Sequence, residues 1–149
     1  MKAIQNCFLL ISIFLINISL QTDVSTFANY EIIQQTKIEV NFNVDFTQKI
    51  INGIEKIYFK ALEDGEVIVL DTKALIIHSV IDSETGDELD FIVDDYYKLE
   101  SHGVPLKIYK EFSKNDTFTI LINYFTTKAG SAVQFLDKEQ TTSLYVYSK

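Results

Sequence analysis

The chain has 149 residues, 47% apolar and 23% charged, with 21 acidic against 13 basic side chains and a net charge of −8. One domain of this size buries roughly 70% of the surface its unfolded chain would expose, and the apolar share excludes a disordered polar chain. The acidic balance, with no Lys/Arg cluster to offset it, excludes binding to a phosphate backbone, so no nucleic-acid partner is expected.

Lys2 followed by the apolar run from Cys7 to Ile16 gives a charged start and then an apolar stretch. A secretory signal uses about 7–15 such residues, whereas a membrane span needs about 20 to cross a ~30 Å hydrocarbon core. Asn17, Ser19 and Gln21-Thr22-Asp23 close the run. Residues 1–21 are therefore expected to be a secretory signal peptide, with no stable membrane span and a destination in the secretory pathway. Cys7 is the single cysteine, so the rest of the chain has no internal disulfide and no thiolate metal site.

Residues 22–35 are polar and mixed, and are expected as a lead-in to a domain over 36–149. In that domain Ile38, Val40, Phe42, Val44 and Phe46 alternate with polar residues, which predicts a strand with one buried and one wet face. Ile50 to Ala61 is a long second strand in which Gly53 marks a bulge or a close backbone approach. Glu63-Asp64-Gly65 turns the chain. Val67–Leu70 and Leu75–Ile81 follow as strands, then the turn Ser83-Glu84-Thr85-Gly86-Asp87 and a return over Leu89–Val93. Leu106–Tyr109 comes after Pro105. Thr117–Phe125 alternates again, with Phe118, Ile120, Ile122 and Tyr124 on one face. Ala132–Leu136 and Leu144–Tyr147 complete the series, and the last strand is expected to fray because it lies beside the terminus. Roughly nine or ten short strands must pack sheet on sheet, since a lone sheet leaves an apolar face in water. The expected fold class is an all-β antiparallel sandwich.

Chemistry-bearing residues are sparse. A zinc peptidase of the His-Glu-x-x-His type places two histidines on one helical face. Here His78 sits on a strand, His102 in the loop Glu100-Ser101-His102-Gly103, and there is no third histidine. Ser101 next to His102 is not a triad, because neighbours in sequence do not present nucleophile and base to each other. Asp94-Asp95 before Tyr96-Tyr97 reads as a polar loop rather than a calcium or sugar contact. Asp45, Asp71, Asp82, Asp87 and Asp90 lack calcium-loop spacing. No catalytic, cofactor-binding or metal residue is expected. Asn115-Asp116-Thr117 is a glycosylation sequon in a turn, which makes Asn115 a candidate N-glycan site in an exported chain.

Several motifs occur in order: Val44-Asp45-Phe46-Thr47, Leu70-Asp71-Thr72-Lys73, Ser113-Lys114-Asn115, Ser131-Ala132-Val133-Gln134-Phe135-Leu136, Glu139-Gln140-Thr141 and Tyr145-Val146-Tyr147-Ser148. Together they resemble the amino-terminal domain of leukotriene A(4) hydrolase-like and aminopeptidase-N-like zinc metallopeptidases, the gluzincins. The resemblance implies a saddle-like β-structure packed against a catalytic zinc-peptidase domain, where it helps wall the cleft that takes the peptide substrate. It implies no cofactor in this chain, the family's zinc being held by the domain absent here. Lys149 stands where the family pattern turns to glutamine, and the family's Gly-x-Met-Glu-Asn motif has no counterpart, since Met1 is the only methionine. The family habit is cytoplasmic, against the signal-like start. The leading expectation is a non-catalytic amino-terminal domain, a fragment or truncated paralogue of such an enzyme. The alternative is a free-standing secreted β-sandwich that binds a peptide, protein or glycan.

Overall fold

The computed structural model describes residues 26–95, 103–130, 133–136 and 145–148. The expected signal segment with Cys7, the loop residues Tyr96 to His102, and Glu139-Gln140-Thr141 lie outside them.

Among the described residues there are nine strands and no helix. They are β1 (Ile33–Asp45), β2 (Ile50–Ala61), β3 (Gly65–Thr72), β4 (Leu75–Asp82), β5 (Phe91–Val93), β6 (Val104–Phe112), β7 (Thr117–Thr126), β8 (Val133–Leu136) and β9 (Tyr145–Ser148). The larger sheet has the order β1-β2-β7-β4, the smaller β3-β6-β5, and β8 pairs with β9 in a two-stranded ribbon. Every ladder is antiparallel. The chain changes sheet between β2 and β3, β3 and β4, β4 and β5, and β6 and β7, so sequence neighbours face each other across the core.

Register shows which residues share a face. Ile38, Ile57 and Ile120 lie opposite one another in successive strands, as do Val40, Glu55, Ile122 and Val80. This inner face supplies Ile57, Phe59, Ala61, Val80, Phe118, Ile120 and Ile122 to the core. The smaller sheet answers with Ile68, Leu70, Leu106, Ile108 and Phe112. Full burial of each such Ile, Leu or Phe side chain stabilises the fold by about 1.5–3 kcal/mol.

The expected strand over Ile38–Phe46 is real, but its apolar face is not buried. Ile38 is 47%, Val40 45% and Phe42 59% exposed. They point to the core side of the sheet, yet β1 is an edge strand and the three-stranded sheet does not reach over this part of it. Alternation reports which face a side chain takes; it says nothing about whether a second layer covers that face. The strand also starts earlier than expected, at Ile33, because a register shift between Gln35 and Lys37 hides the first residues from any period-two reading.

Three acidic residues explain local structure. The Asp45 carboxylate accepts from the backbone N–H groups of Thr47 and Gln48, both at 2.8 Å, and so forms the β1–β2 turn. Asp71 accepts from Thr26 Oγ1 at 2.5 Å and Phe27 N at 2.8 Å, which ties the lead-in to β3. Asn29 then bonds Val67 O and Val69 N through its side-chain amide, at 2.8 and 2.9 Å, and so occupies backbone groups on the outer edge of β3. Asp116 caps the β6–β7 turn by accepting from Ser113 N at 2.8 Å. Gly53 carries no bulge: its ladder is continuous, and a Cβ there would sit 2.4 Å from the ring of Tyr124, so the close-approach reading is the correct one.

Candidate functional site

Beyond the edge of the smaller sheet, the gap between the two sheets opens into a cavity of about 230 Å³. Ile57, Leu70, Leu75, Ile77, Leu106 and Ile122 give it apolar walls. Five polar residues also line it among those described: Gln35 from β1, Glu55 from β2, Asp71 and Thr72 from β3 and Tyr124 from β7. Glu55 reaches the inner face because its strand phase is that of Gly53, Ile57 and Phe59. Burial pushes its carboxyl above the ordinary carboxylate range. The Tyr124 phenol is raised too, by burial first and by the Glu55 charge second. Thr72 is 4% exposed, and its hydroxyl is sealed from solvent with no hydrogen-bond partner among the described residues. Its backbone is equally enclosed, since Gly103 takes φ of +84° directly against the Thr72 carbonyl.

The residues singled out from sequence are not gathered here. His78 lies at a register shift between Ile77 and Ser79 and is exposed, so the expected alternation with Ile76 and Val80 breaks at that point. Ser101 and His102 lie outside the described residues. Asp94 accepts from Lys107 Nζ at 2.7 Å, and Asp95 is exposed. Asp82 is drawn into an ion pair with Lys110 Nζ at 2.6 Å. Asn115 is exposed in its turn at φ 73°, a left-handed conformation that Asn tolerates better than most residues.

Catalytic zinc takes three protein ligands and an open fourth position. Among the described residues, no group of three or more His, Cys, Asp or Glu side chains is placed to hold a metal ion. The described donor set therefore does not fit zinc. The cavity was missed from sequence, though a signal was there: on β2 the inner phase runs Ile51, Gly53, Glu55, Ile57, Phe59, Ala61, and Glu55 is its one charged member.

No family model matches the sequence. Among curated proteins, the chain is 33% identical over 138 residues to leucine aminopeptidase 2 of Vanderwaltozyma polyspora, covering 89% of this chain and 20% of that protein. It is 32% identical over 130 residues to leucine aminopeptidase 2 of Aspergillus fumigatus, covering 85% and 20%. Leukotriene A-4 hydrolase of Xenopus laevis is 30% identical over 122 residues, covering 80% and 19%. Among solved structures, yeast LTA4 hydrolase in complex with bestatin superposes with a TM-score of 0.76 at 30% identity, covering 94% of this chain and 22% of that one. An M1 zinc metallopeptidase from Deinococcus radiodurans superposes with a TM-score of 0.53 at 10% identity, a likeness of fold alone. The chain thus spans some 20% of the length of the curated relatives it matches.

Proposed function

Because this chain belongs, over the stretch it shares with them, to the family of leucine aminopeptidase 2 and leukotriene A-4 hydrolase, we propose that it serves as the amino-terminal β-domain of an M1-type zinc aminopeptidase. Its part there is to stand beside a separate zinc-binding unit and wall one side of the peptide cleft, with no catalytic chemistry of its own. One observation carries the reading: the match takes in 94% of this chain but only 22% of the yeast enzyme. The motifs that resemble that family's fall on residues that shape the fold here. Asp45 and Asp71 hold a turn and the lead-in, and Ser113 with Lys114 sits in the β6–β7 turn, where Lys114 N donates to Asp64 at 2.7 Å. The uncovered strip of Ile38, Val40 and Phe42 also gains a use, as apolar surface available to the rest of a longer chain.

A chimera tests this. Residues 26–148 of this chain would replace the matching segment of the yeast LTA4 hydrolase. If the domain serves as a cleft wall, the chimera should fold, retain zinc and keep aminopeptidase kcat/KM within about tenfold of the parent. A chimera that folds and retains zinc but hydrolyses no aminoacyl substrate would refute the assignment.

A further inference from the structure

The turn between β6 and β7 carries Asn115-Asp116-Thr117, an Asn-x-Thr acceptor sequence with no proline at its centre. Asn17-Ile18-Ser19 has the same spacing but falls within residues 1–21, so past the leader the sequon at Asn115 is single. Asn115 also ends the Ser113-Lys114-Asn115 motif, and an asparagine there calls for no special use by itself. Thr117, two residues on, is what turns it into an acceptor.

The turn is built without either of those side chains. Asp116 N donates to Ser113 O at 3.0 Å, and the Asp116 carboxylate accepts from Ser113 N at 2.8 Å. Asn115 N donates to Ala61 O at 3.0 Å, and Ala61 N donates to Asp116 O at 2.8 Å, which pins the turn to the end of β2. Lys114 donates through its backbone N–H to Asp64 and through Nζ to Glu63. The side chains of Asn115 and Thr117 are exposed and make no hydrogen bond among the described residues. A φ of 73° at Asn115 admits Gly or Asp as well, so conformation alone does not select a carboxamide. The position also has room. Thr117 pairs with Lys60 at one end of the β2–β7 ladder, whereas the β8–β9 ribbon meets the other end of the larger sheet, where Phe135 packs on Phe46. A bulky group at Asn115 is thus attached at the end of the sheet opposite that ribbon.

We propose that Asn115 carries an N-linked oligosaccharide, attached as the chain enters the secretory pathway behind the leader of residues 1–21. The donor is a polyprenyl-diphosphate-linked oligosaccharide. Asn115 Nδ2 attacks its anomeric carbon, and a C–N bond forms as the bond from that carbon to the diphosphate oxygen breaks. The lipid diphosphate leaves, one amide proton passes to a base of the transferase, and no oxidant or reductant takes part. The glycan does not depend on the zinc-enzyme reading, since neither the leader nor Thr117 enters it.

The test expresses the full chain in a eukaryotic cell that glycosylates its exported proteins, beside a copy in which a proven signal peptide replaces residues 1–21. Both should give a slower-migrating band that peptide N-glycosidase removes. Release in heavy-oxygen water should leave a labelled Asp at position 115. Asn115→Gln and Thr117→Ala should lose the shift completely, Thr117→Ser should keep it, and Asn17→Gln in the full chain should leave it unchanged. Transfer precedes folding, so a variant that folds poorly still reports on the acceptor. An unshifted chain behind both leaders would overturn the proposal, as would a shift that survives Asn115→Gln. A shift seen only behind the borrowed signal peptide would overturn it too, by showing that residues 1–21 do not deliver the chain.

Discussion

Replacing Phe59 by Ala is expected to destabilise the chain by about 3–5 kcal/mol, the range seen when a fully buried aromatic is cut to a methyl group. Phe59 is 1% exposed in the middle of β2. Its ring packs 5.6 Å from that of Phe118, and Phe118 lies 5.6 Å from Phe112 of the opposite sheet. The substitution therefore opens a cavity where the two sheets meet, and neighbours held by strand register cannot collapse into it. A domain with about 5–15 kcal/mol of total stability would lose a large part of it. Urea unfolding should show a much lower midpoint with an unchanged slope. The control is Phe42→Ala. From sequence Phe42 looks as much a core residue as Phe59, but at 59% exposure it should move stability by less than about 1 kcal/mol. Equal losses at the two positions would mean that the face of β1 is covered after all.

Asp82 should show the second large effect, with a pH signature. Its side chain is 6% exposed at the end of β4 and accepts from Lys110 Nζ at 2.6 Å, which makes an ion pair between the larger and the smaller sheet. It also accepts from Glu84 N at 2.9 Å, closing the turn that follows. Burial alone would raise its carboxyl. The Lys110 hydrogen bond and charge and the turn N–H groups outweigh burial, so the carboxyl lies below the usual aspartate value. A depressed folded-state pKa contributes stability above the unfolded-state value and loses it as pH falls through the folded one. Asp82→Ala should therefore cost about 2–4 kcal/mol at neutral pH, because it leaves a shielded lysine unpaired and a turn uncapped. That gap should stay flat from about pH 7 to about pH 5, begin to narrow near about pH 4, where aspartate in the unfolded chain takes up its proton, and go on narrowing as pH falls through the lower folded-state value of Asp82. A gap that widens on acidification would contradict this account of the pair.

Strand identity was legible in the sequence where a period of two ran unbroken. Ile50–Ala61 was read with the same bounds as β2, and Thr117–Phe125 falls one residue short of β7. It failed where backbone irregularity hid the period. The shift between Gln35 and Lys37 placed the first residues of β1 in the expected lead-in, and the shift at Ile77/Ser79 turned His78 out of its alternation. Layer order was not legible at all. Nothing local places β7 between β2 and β4, because that pairing depends on which face the other sheet covers. The same limit explains the strip at Ile38, Val40 and Phe42, whose pattern is that of a core. Site chemistry was hidden for a different reason. Glu55 reads as an ordinary surface acid until the register puts it opposite Val40 and Ile122, and the Thr72 hydroxyl becomes an orphan only when packing encloses it.

If this β-domain, as proposed, does no catalysis by itself, metal content and activity measured on one sample should both show it. The chain would be equilibrated with zinc, dialysed exhaustively, assayed for bound metal, and then given aminoacyl reporter substrates with zinc added back. A catalytic zinc needs three protein ligands and a polarised water, and the described residues bring no such set together. Zinc far below one equivalent after dialysis and no release of amino acid above the blank are expected. One equivalent of retained zinc, or turnover that falls in a His78→Ala chain, would contradict that reading.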